Sequence, residues 1–231
     1  MCRSYFELRK LVNTMALMVD EIFTSIQGEG YDSGLLTIFV RLYGCPLKCK
    51  YCDQPQKKGT AKKMSVENLL TKIHSLHGVR VCITGGEPLI QPDIFPVIYD
   101  LVATNYRVSI ETNGAVPIMD VPYARSYKYV MDVKCPSSGM VTKNHLENLG
   151  ILKGNDEVKF VISDRNDYDF AKMVLRDYPT RAKILFSPVM LKDDNGQWYS
   201  DVSTDLCKWI EQDRLFHIKI QCQLHKFMGV M

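Results

Sequence analysis

Cys45, Cys49 and Cys52 stand in "CPLKCKYC", three thiols in eight residues with Lys48 and Lys50 between them. Thiols so spaced can wrap around one metal centre, and the two ammonium groups offset part of the charge of thiolates and sulfide. A structural zinc site closes with four protein ligands. Its fourth would have to be a distant side chain such as His74 or His77, and neither has a convincing spacing. A [4Fe–4S] cluster on three thiolates keeps one iron open for a further ligand. Gly44 allows a tight entry into the loop, and Pro46 prevents a helix from continuing there.

Three further stretches carry polar groups at the ends of strand-like runs. In "TGGEPLIQP" (Thr84–Pro92), Gly85 and Gly86 permit close approach to the backbone, and Glu87 offers an acceptor for an ammonium group. Alone, the same residues read equally as a plain turn. "SIETNG" (Ser109–Gly114) places Glu111 and Asn113 where they either line a site or cap a turn. In "DVKCPSSG" (Asp132–Gly139), Lys134 either contacts a ligand's carboxylate or ribose or is an ordinary solvated lysine.

The elements that must position these groups alternate between two periods. Strand-like runs occur at Leu35–Tyr43, Arg80–Thr84, Arg107–Thr112, Tyr127–Val133, Glu157–Ile162, Lys183–Val189 and Phe216–Gln221. Helical spacing occurs at Ser65–Leu76, with Ser65 as the cap, and at Asp93–Thr104, Tyr168–Tyr178 and Ser203–Gln212. Strands alternating with helices predict an α/β fold on a parallel sheet, with chemistry at the C-terminal strand ends. The motifs fall at those ends. Val141–Asp156 gives too weak a pattern for a full helix.

Composition narrows the class. The 231 residues are 46% hydrophobic and 24% charged, enough for one large domain with a real core. A net charge of +3 is too mild to indicate a nucleic-acid partner. No apolar run of about 18 residues is present, so no membrane span is expected. Residues 1–18 read as a poorly ordered extension without signal-peptide character, with Met15 or Met18 as a candidate start and one domain over 19–231. Eight cysteines and no secretion signal predict a reduced, cytoplasmic protein with one metal cluster. Cys82 and Cys222 lie in apolar runs and read as small buried hydrophobes.

With Tyr51 before its last cysteine, the Cys-x3-Cys-x2-Cys stretch resembles the radical S-adenosylmethionine superfamily, and TGGEP resembles that superfamily's second motif. The resemblance implies a partial (β/α) barrel with trimmed helices. It implies that the open iron chelates the amino and carboxylate groups of S-adenosylmethionine, whose reductive cleavage yields a 5′-deoxyadenosyl radical. Tyr51, Asp53, Gly85, Gly86, Glu87 and Lys134 are then the expected cofactor contacts. An electron donor such as flavodoxin or ferredoxin is implied as a partner.

"EIFTSIQGEGYDSG" (Glu21–Gly34), Arg41, ETNG, K-x-PSSGM, "VKFVISDRNDY" and "QLHKFMG" resemble the 7-carboxy-7-deazaguanine synthase family from about Val19 onwards. This implies a lyase acting on 6-carboxy-5,6,7,8-tetrahydropterin with loss of ammonia, in 7-deazapurine (queuosine-type) biosynthesis. It also implies a homodimer and Mg²⁺. For a flat heterocycle bearing a carboxylate, Arg41 suits the carboxylate through a bidentate fork. Ile26, Gln27, Gly28 and Glu29 suit the heterocycle edges. Thr84 and His225 resemble pocket contacts, and the Met231 carboxylate is a further candidate. Two positions depart from the pattern. Gln54 stands where relatives usually carry the Thr or Ser that helps hold Mg²⁺, and Asp132-Val133 stands where they often read Ser-Pro. The competing readings are a glycyl-radical-enzyme activase with the same cluster and a zinc-knuckle RNA-binding protein.

Overall fold

The computed structural model describes residues 15–54, 61–119 and 126–230. The chain opens with β1 (Ala16–Ile26), β2 (Leu36–Leu42) and β3 (Lys62–Ser65). There follow α1 (Val66–His74), β4 (Arg80–Gly85), α2 (Ile94–Ala103), β5 (Arg107–Thr112) and β6 (Tyr127–Val133). The second half runs α3 (Asn148–Ile151), β7 (Glu157–Ile162), α4 (Arg165–Asp177), β8 (Lys183–Pro188), then the hairpin β9 (Leu191–Lys192) and β10 (Trp198–Tyr199). It ends with α5 (Ser203–Gln212), β11 (Lys219–Ile220) and α6 (Leu224–Met228).

One nine-stranded sheet has the order β11-β8-β7-β6-β5-β4-β2-β1-β3. From β2 to β11 neighbouring strands run parallel, whereas β1 is antiparallel to both β2 and β3. Among the described residues the expected partial barrel is thus open, with β3 and β11 as its edges.

Side chains on the strands alternate strictly. Val81, Ile83, Val108, Ile110, Met131, Val133, Val158, Phe160 and Ile162 belong to the buried apolar core. Helices cover that face with apolar stripes: Val66, Leu69 and Ile73 of α1, Ile94, Val97, Ile98 and Leu101 of α2, and Ala171 and Val174 of α4. Each such burial contributes about 1.5–3 kcal/mol for a side chain of Val or Leu size. The period of two therefore turns Cys82, Thr84, Ser109, Glu111, Lys128, Asp132, Glu157 and Lys159 onto the opposite, inner face. A polar inner face on a parallel sheet marks where the chemistry lies.

Caps fix the helix starts. The Ser65 hydroxyl accepts from Asn68 N at 3.2 Å, as its position before α1 predicts. Helix α4 begins at Arg165 rather than Tyr168 because the Asp164 carboxylate caps it, accepting from Asp167 N at 2.9 Å. Pro96 lies in the first turn of α2, where no intrahelical N–H bond is lost. Val141–Asp156 holds only a 3-10 turn and the short α3.

Some expectations are corrected. The boundary expected after residue 18 falls inside β1, where Leu17 is buried and Ala16–Val19 pair with β3. The strand expected over Phe216–Gln221 is only Lys219–Ile220, and Phe216 is exposed. Cys82 is buried as expected, but Cys222 is exposed, because β11 ends before it. Among the described residues, no helix is long and apolar enough to cross a membrane.

Candidate active site

The cysteine loop leaves β2 and is seated on the glycines that leave β4. Gly86 N donates to Leu42 O at 3.1 Å, and Glu87 N donates to Gly44 O at 2.8 Å. A Cβ on Gly85 would overlap the Leu42 backbone, and one on Gly86 would overlap the Gly44 carbonyl. The two glycines therefore exist first to let two loops touch. On the far side, Lys50 N donates to Ser138 O at 3.0 Å, tying the loop to the stretch after β6. Asn113, at the end of β5, donates from Nδ2 to Cys45 Sγ at 3.4 Å. Four motifs distant in sequence thus meet at the C-terminal ends of β2, β4, β5 and β6.

Cys45 and Cys52 are exposed and Cys49 is half-buried. Burial pushes the Cys49 thiol above its ordinary value, and Asp132 adds to this while Lys134 opposes it. Among the described residues, no three His, Cys, Asp or Glu side chains stand close enough to share a metal ion. The three thiols are held on one loop but are not closed about a common centre.

Glu87 stands between the ends of β4 and β5. Its side chain is fully buried, and the carboxylate already accepts from three donors. Leu89 N reaches Oε1 at 3.0 Å, Asn113 N reaches Oε2 at 2.7 Å, and Thr112 Oγ1 lies 2.9 Å from each oxygen. Burial holds its carboxyl above the usual glutamate value despite these donors. Glu87 is a brace between two loops.

Next to the cysteine loop lie two polar atoms without partners. The Tyr51 hydroxyl and Asp132 Oδ1 are both buried and accept or donate no hydrogen bond among the described residues. Burial and the Asp132 charge push the Tyr51 phenol far above its ordinary value, so it stays protonated. The other oxygen of Asp132 takes Lys134 Nζ at 2.7 Å and faces Lys159 Nζ at 3.7 Å. Lys159 in turn holds Glu29 Oε2 at 2.6 Å. Burial lowers both lysine values, but Asp132 and Glu29 outweigh it and hold both above the usual range. Asp53 faces Lys226 at 3.6 Å and Gln223 at 3.2 Å; burial pushes its carboxyl up, and these partners with Lys159 bring it below the usual value.

The loop after β1 enters the inner face from the N-terminal strand ends. Glu29 accepts from Gln223 Nε2 at 2.7 Å as well as from Lys159. Gly28 touches His225 so closely that a Cβ would overlap Nδ1, and Gly28 O accepts from Leu224 N at 2.9 Å. Burial holds the His225 imidazole below its ordinary value, favouring the neutral ring. Ile26, half-buried, closes β1 opposite Leu36. Gln27 is buried, donating to Glu111 Oε1 at 3.1 Å and accepting from Glu29 N at 3.2 Å. It holds Glu111, whose other oxygen accepts from Thr84 Oγ1 at 2.7 Å. Arg41 lies across the Phe23 ring at 5.6 Å, with Nε 3.4 Å from Glu21 Oε2. Gln54 is exposed, and Met231 lies outside the described residues.

Sequence reasoning did not single out Thr112, Gln223, Lys159 or Glu157. Lys159 and Glu157 were detectable, since alternation within "EVKFVI" turns both away from Val158 and Phe160. Thr112 and Gln223 carried no such signal.

The residues fit an iron–sulfur cluster with an attached polar cofactor. Three cysteines without a fourth leave an open iron, and the unpartnered Tyr51 hydroxyl and Asp132 Oδ1 beside them call for a ligand with its own donors.

Residues 39–129 match the Radical SAM superfamily. The fold is similar to that in "Crystal structure of QueE from Escherichia coli", with a TM-score of 0.74 at 23% identity over 96% of this chain and 100% of that one. It is also similar to Streptococcus suis SuiB bound to S-adenosylmethionine, with a TM-score of 0.54 at 11% identity over 77% of this chain and 48% of that one. The 7-carboxy-7-deazaguanine synthase of Methanospirillum hungatei is 40% identical over 93% of this chain and 86% of its own length. That of Koribacter versatilis is 39% identical over 92% of this chain and 96% of its own length. At that identity over nearly the whole chain, the protein belongs to the 7-carboxy-7-deazaguanine synthase family, within the radical S-adenosylmethionine enzymes.

Proposed function

We propose that the protein converts 6-carboxy-5,6,7,8-tetrahydropterin to 7-carboxy-7-deazaguanine with loss of ammonia, in 7-deazapurine (queuosine-type) biosynthesis. The observation that carries the reading is the seat of the Cys45–Cys52 loop on Gly85 and Gly86, directly over the charged inner face of the sheet. When bound, a [4Fe–4S] cluster and S-adenosylmethionine supply the hydrogen abstraction that starts the ring contraction.

The chain's own residues bind, orient and exclude water. Cys45, Cys49 and Cys52 hold the cluster, with the Asn113 amide donating to one sulfur. Tyr51, Asp53, Asp132 Oδ1, Lys134 and the Gly85–Gly86 backbone hold the cofactor. Arg41 takes the substrate carboxylate, its guanidinium lying over the Phe23 ring. Glu29 accepts from ring N–H groups, and Ile26 and Gly28 offer backbone. Thr84 and the neutral His225 complete the contacts. Gln54 offers a carbonyl oxygen to Mg²⁺, which favours such hard ligands. A flavodoxin or ferredoxin supplies the electron, and the enzyme works in the cytoplasm as a homodimer.

The test is anaerobic incubation of reconstituted protein with the carboxypterin, S-adenosylmethionine and a reductant, with and without Mg²⁺. Formation of the deazapurine supports the reading. Intact cluster and cofactor cleavage without that product would refute it. The activase reading predicts a protein substrate, and the zinc-knuckle reading predicts zinc without iron–sulfur absorption. Neither matches the relatives named above.

A further inference from the structure

The loop from Gln27 to Gly34 leaves β1 and crosses to the far part of the sheet. There it meets β6, β7, β8 and β11 at their N-terminal ends, opposite the mouth that carries the cysteines. Glu157, the first residue of β7, has no solvent exposure. Its Oε2 accepts from Tyr31 N at 3.1 Å, and its Oε1 accepts from Lys128 Nζ. Lys128 also reaches Asp32 at 2.9 Å, so one lysine clasps the loop and the strand together. Gly30 lies against the same carboxylate: its φ is +74°, and a Cβ would overlap Glu157 Oε2. Gly30 O accepts from Lys219 Nζ at 2.9 Å, and the Tyr31 ring lies 4.4 Å from both Lys183 Nζ and Lys219 Nζ.

A buried ion pair is a poor source of stability, because desolvating two charges consumes most of their attraction. An apolar pair would fill the same space, but it could not accept the Tyr31 N–H or hold Gly30 in the left-handed region against a carboxylate. What Glu157 supplies is therefore location. It fixes the backbone one residue beyond Glu29, and Glu29 meets Lys159, on the same inner face and two residues along β7 from Glu157.

We propose that Glu157, with Lys128, is a positioning residue for the reaction: it holds the Gly28–Gly30 backbone in register so that Glu29 and Gly28 meet the pterin. This rests on the reading above that Gly28 and Glu29 contact the substrate. Neither Glu157 nor Lys128 touches the reacting atoms in this scheme. Both act through the loop.

The test uses the reconstituted holoenzyme and the variants Glu157→Gln, Glu157→Gln with Lys128→Met, and Gly30→Ala. Three readouts are taken: KM and kcat for the carboxypterin, thermal stability, and amide hydrogen exchange of the peptide spanning 27–34. Glu157→Gln raises KM about tenfold or more while kcat falls less, and exchange quickens in the loop peptide but not in β6 or β7. The double variant recovers thermal stability, since it removes the ammonium that Glu157→Gln leaves with only the half-exposed Asp32 as counter-charge, yet KM stays raised. A merely structural role gives one of two other results: lowered stability with unchanged KM, or a raised KM that returns to the wild-type value together with stability in the double variant. Either result overturns the proposal. Should Glu157→Gln not fold, Gly30→Ala displaces the loop from the same carboxylate and must give the same KM and exchange pattern. If the wild type does not turn over the pterin, the functional reading falls and the catalytic half of this proposal with it. Unchanged loop exchange in Glu157→Gln, with wild-type turnover intact, sinks the positioning role alone.

Discussion

Gly28 and His225 are in such close contact that no side chain larger than hydrogen fits at position 28 without moving the imidazole. One residue lies just after β1 and the other on α6, so the first and last parts of the described chain meet there. The Leu224 N to Gly28 O bond of 2.9 Å holds them there.

Gly28→Ala should therefore swing the His225 ring aside rather than unfold the protein, because the obstacle is the mobile end of a side chain. The expected outcome is a loss of about tenfold or more in kcat/KM with thermal stability reduced by only about 1 kcal/mol. Steady-state kinetics and a melting curve on the same sample check both halves. A large stability loss with normal kinetics per folded molecule would show that the contact only packs.

Glu87→Gln separates a brace from a ligand. The amide would put donors where Asn113 N, Leu89 N and Thr112 Oγ1 already donate, so stability should fall by about 1–3 kcal/mol. Urea unfolding reads this directly. A variant of normal stability with weakened cofactor binding would restore Glu87 to the binding site.

The pair Glu29–Lys159 predicts a pH dependence. Burial pushes the Glu29 carboxyl up, but Lys159 and Gln223 outweigh it, so its folded value lies below the unfolded one. A depressed carboxyl contributes stability above its unfolded value and loses it as pH falls through the folded value. Lys159 is raised well above the usual lysine value, so its share is present below that value and fades only as pH rises through the folded one. The pair's contribution should hold across neutral pH. Glu29→Gln should cost about 3 kcal/mol there and flatten the acid limb of the unfolding midpoint against pH. An acid limb identical to wild type would contradict the pairing.

Arg41→Lys should keep the iron–sulfur absorption but raise KM for the carboxypterin about tenfold, because an ammonium offers neither the paired fork nor the flat contact with Phe23. Cys49→Ala, by contrast, should abolish that absorption while leaving the circular dichroism of the sheet unchanged. Loss of the cluster in Arg41→Lys would place that residue in the cysteine loop's support instead.

Much of the frame was legible because alternation and helical spacing are local. β5, β6 and β7 begin and end where their patterns do, since each inward polar residue is flanked by core residues. β1 was missed because Asp20, Glu21 and Thr24 interrupt its apolar residues, and its strand character comes from pairing on both sides. The cysteines and glycines were legible as types, and their contact was not: no spacing shows that Gly85 and Gly86 also pass the Leu42–Gly44 backbone. The bracing contacts of Glu87 and Gln27 were hidden for the same reason. Their partners, Thr112, Asn113 and Glu111, come from another strand, and no spacing in the sequence reveals which polar side chain is already satisfied.

An open barrel has two margins where main-chain groups await company from another molecule. At one margin β3 carries Lys62 and Lys63, whose charges would have to be stripped of water before a second sheet could dock. At the other, β11 is two residues long, too short to template an added strand. Among the described residues neither margin therefore offers a template for fibre-like stacking, although the cylinder stays unclosed.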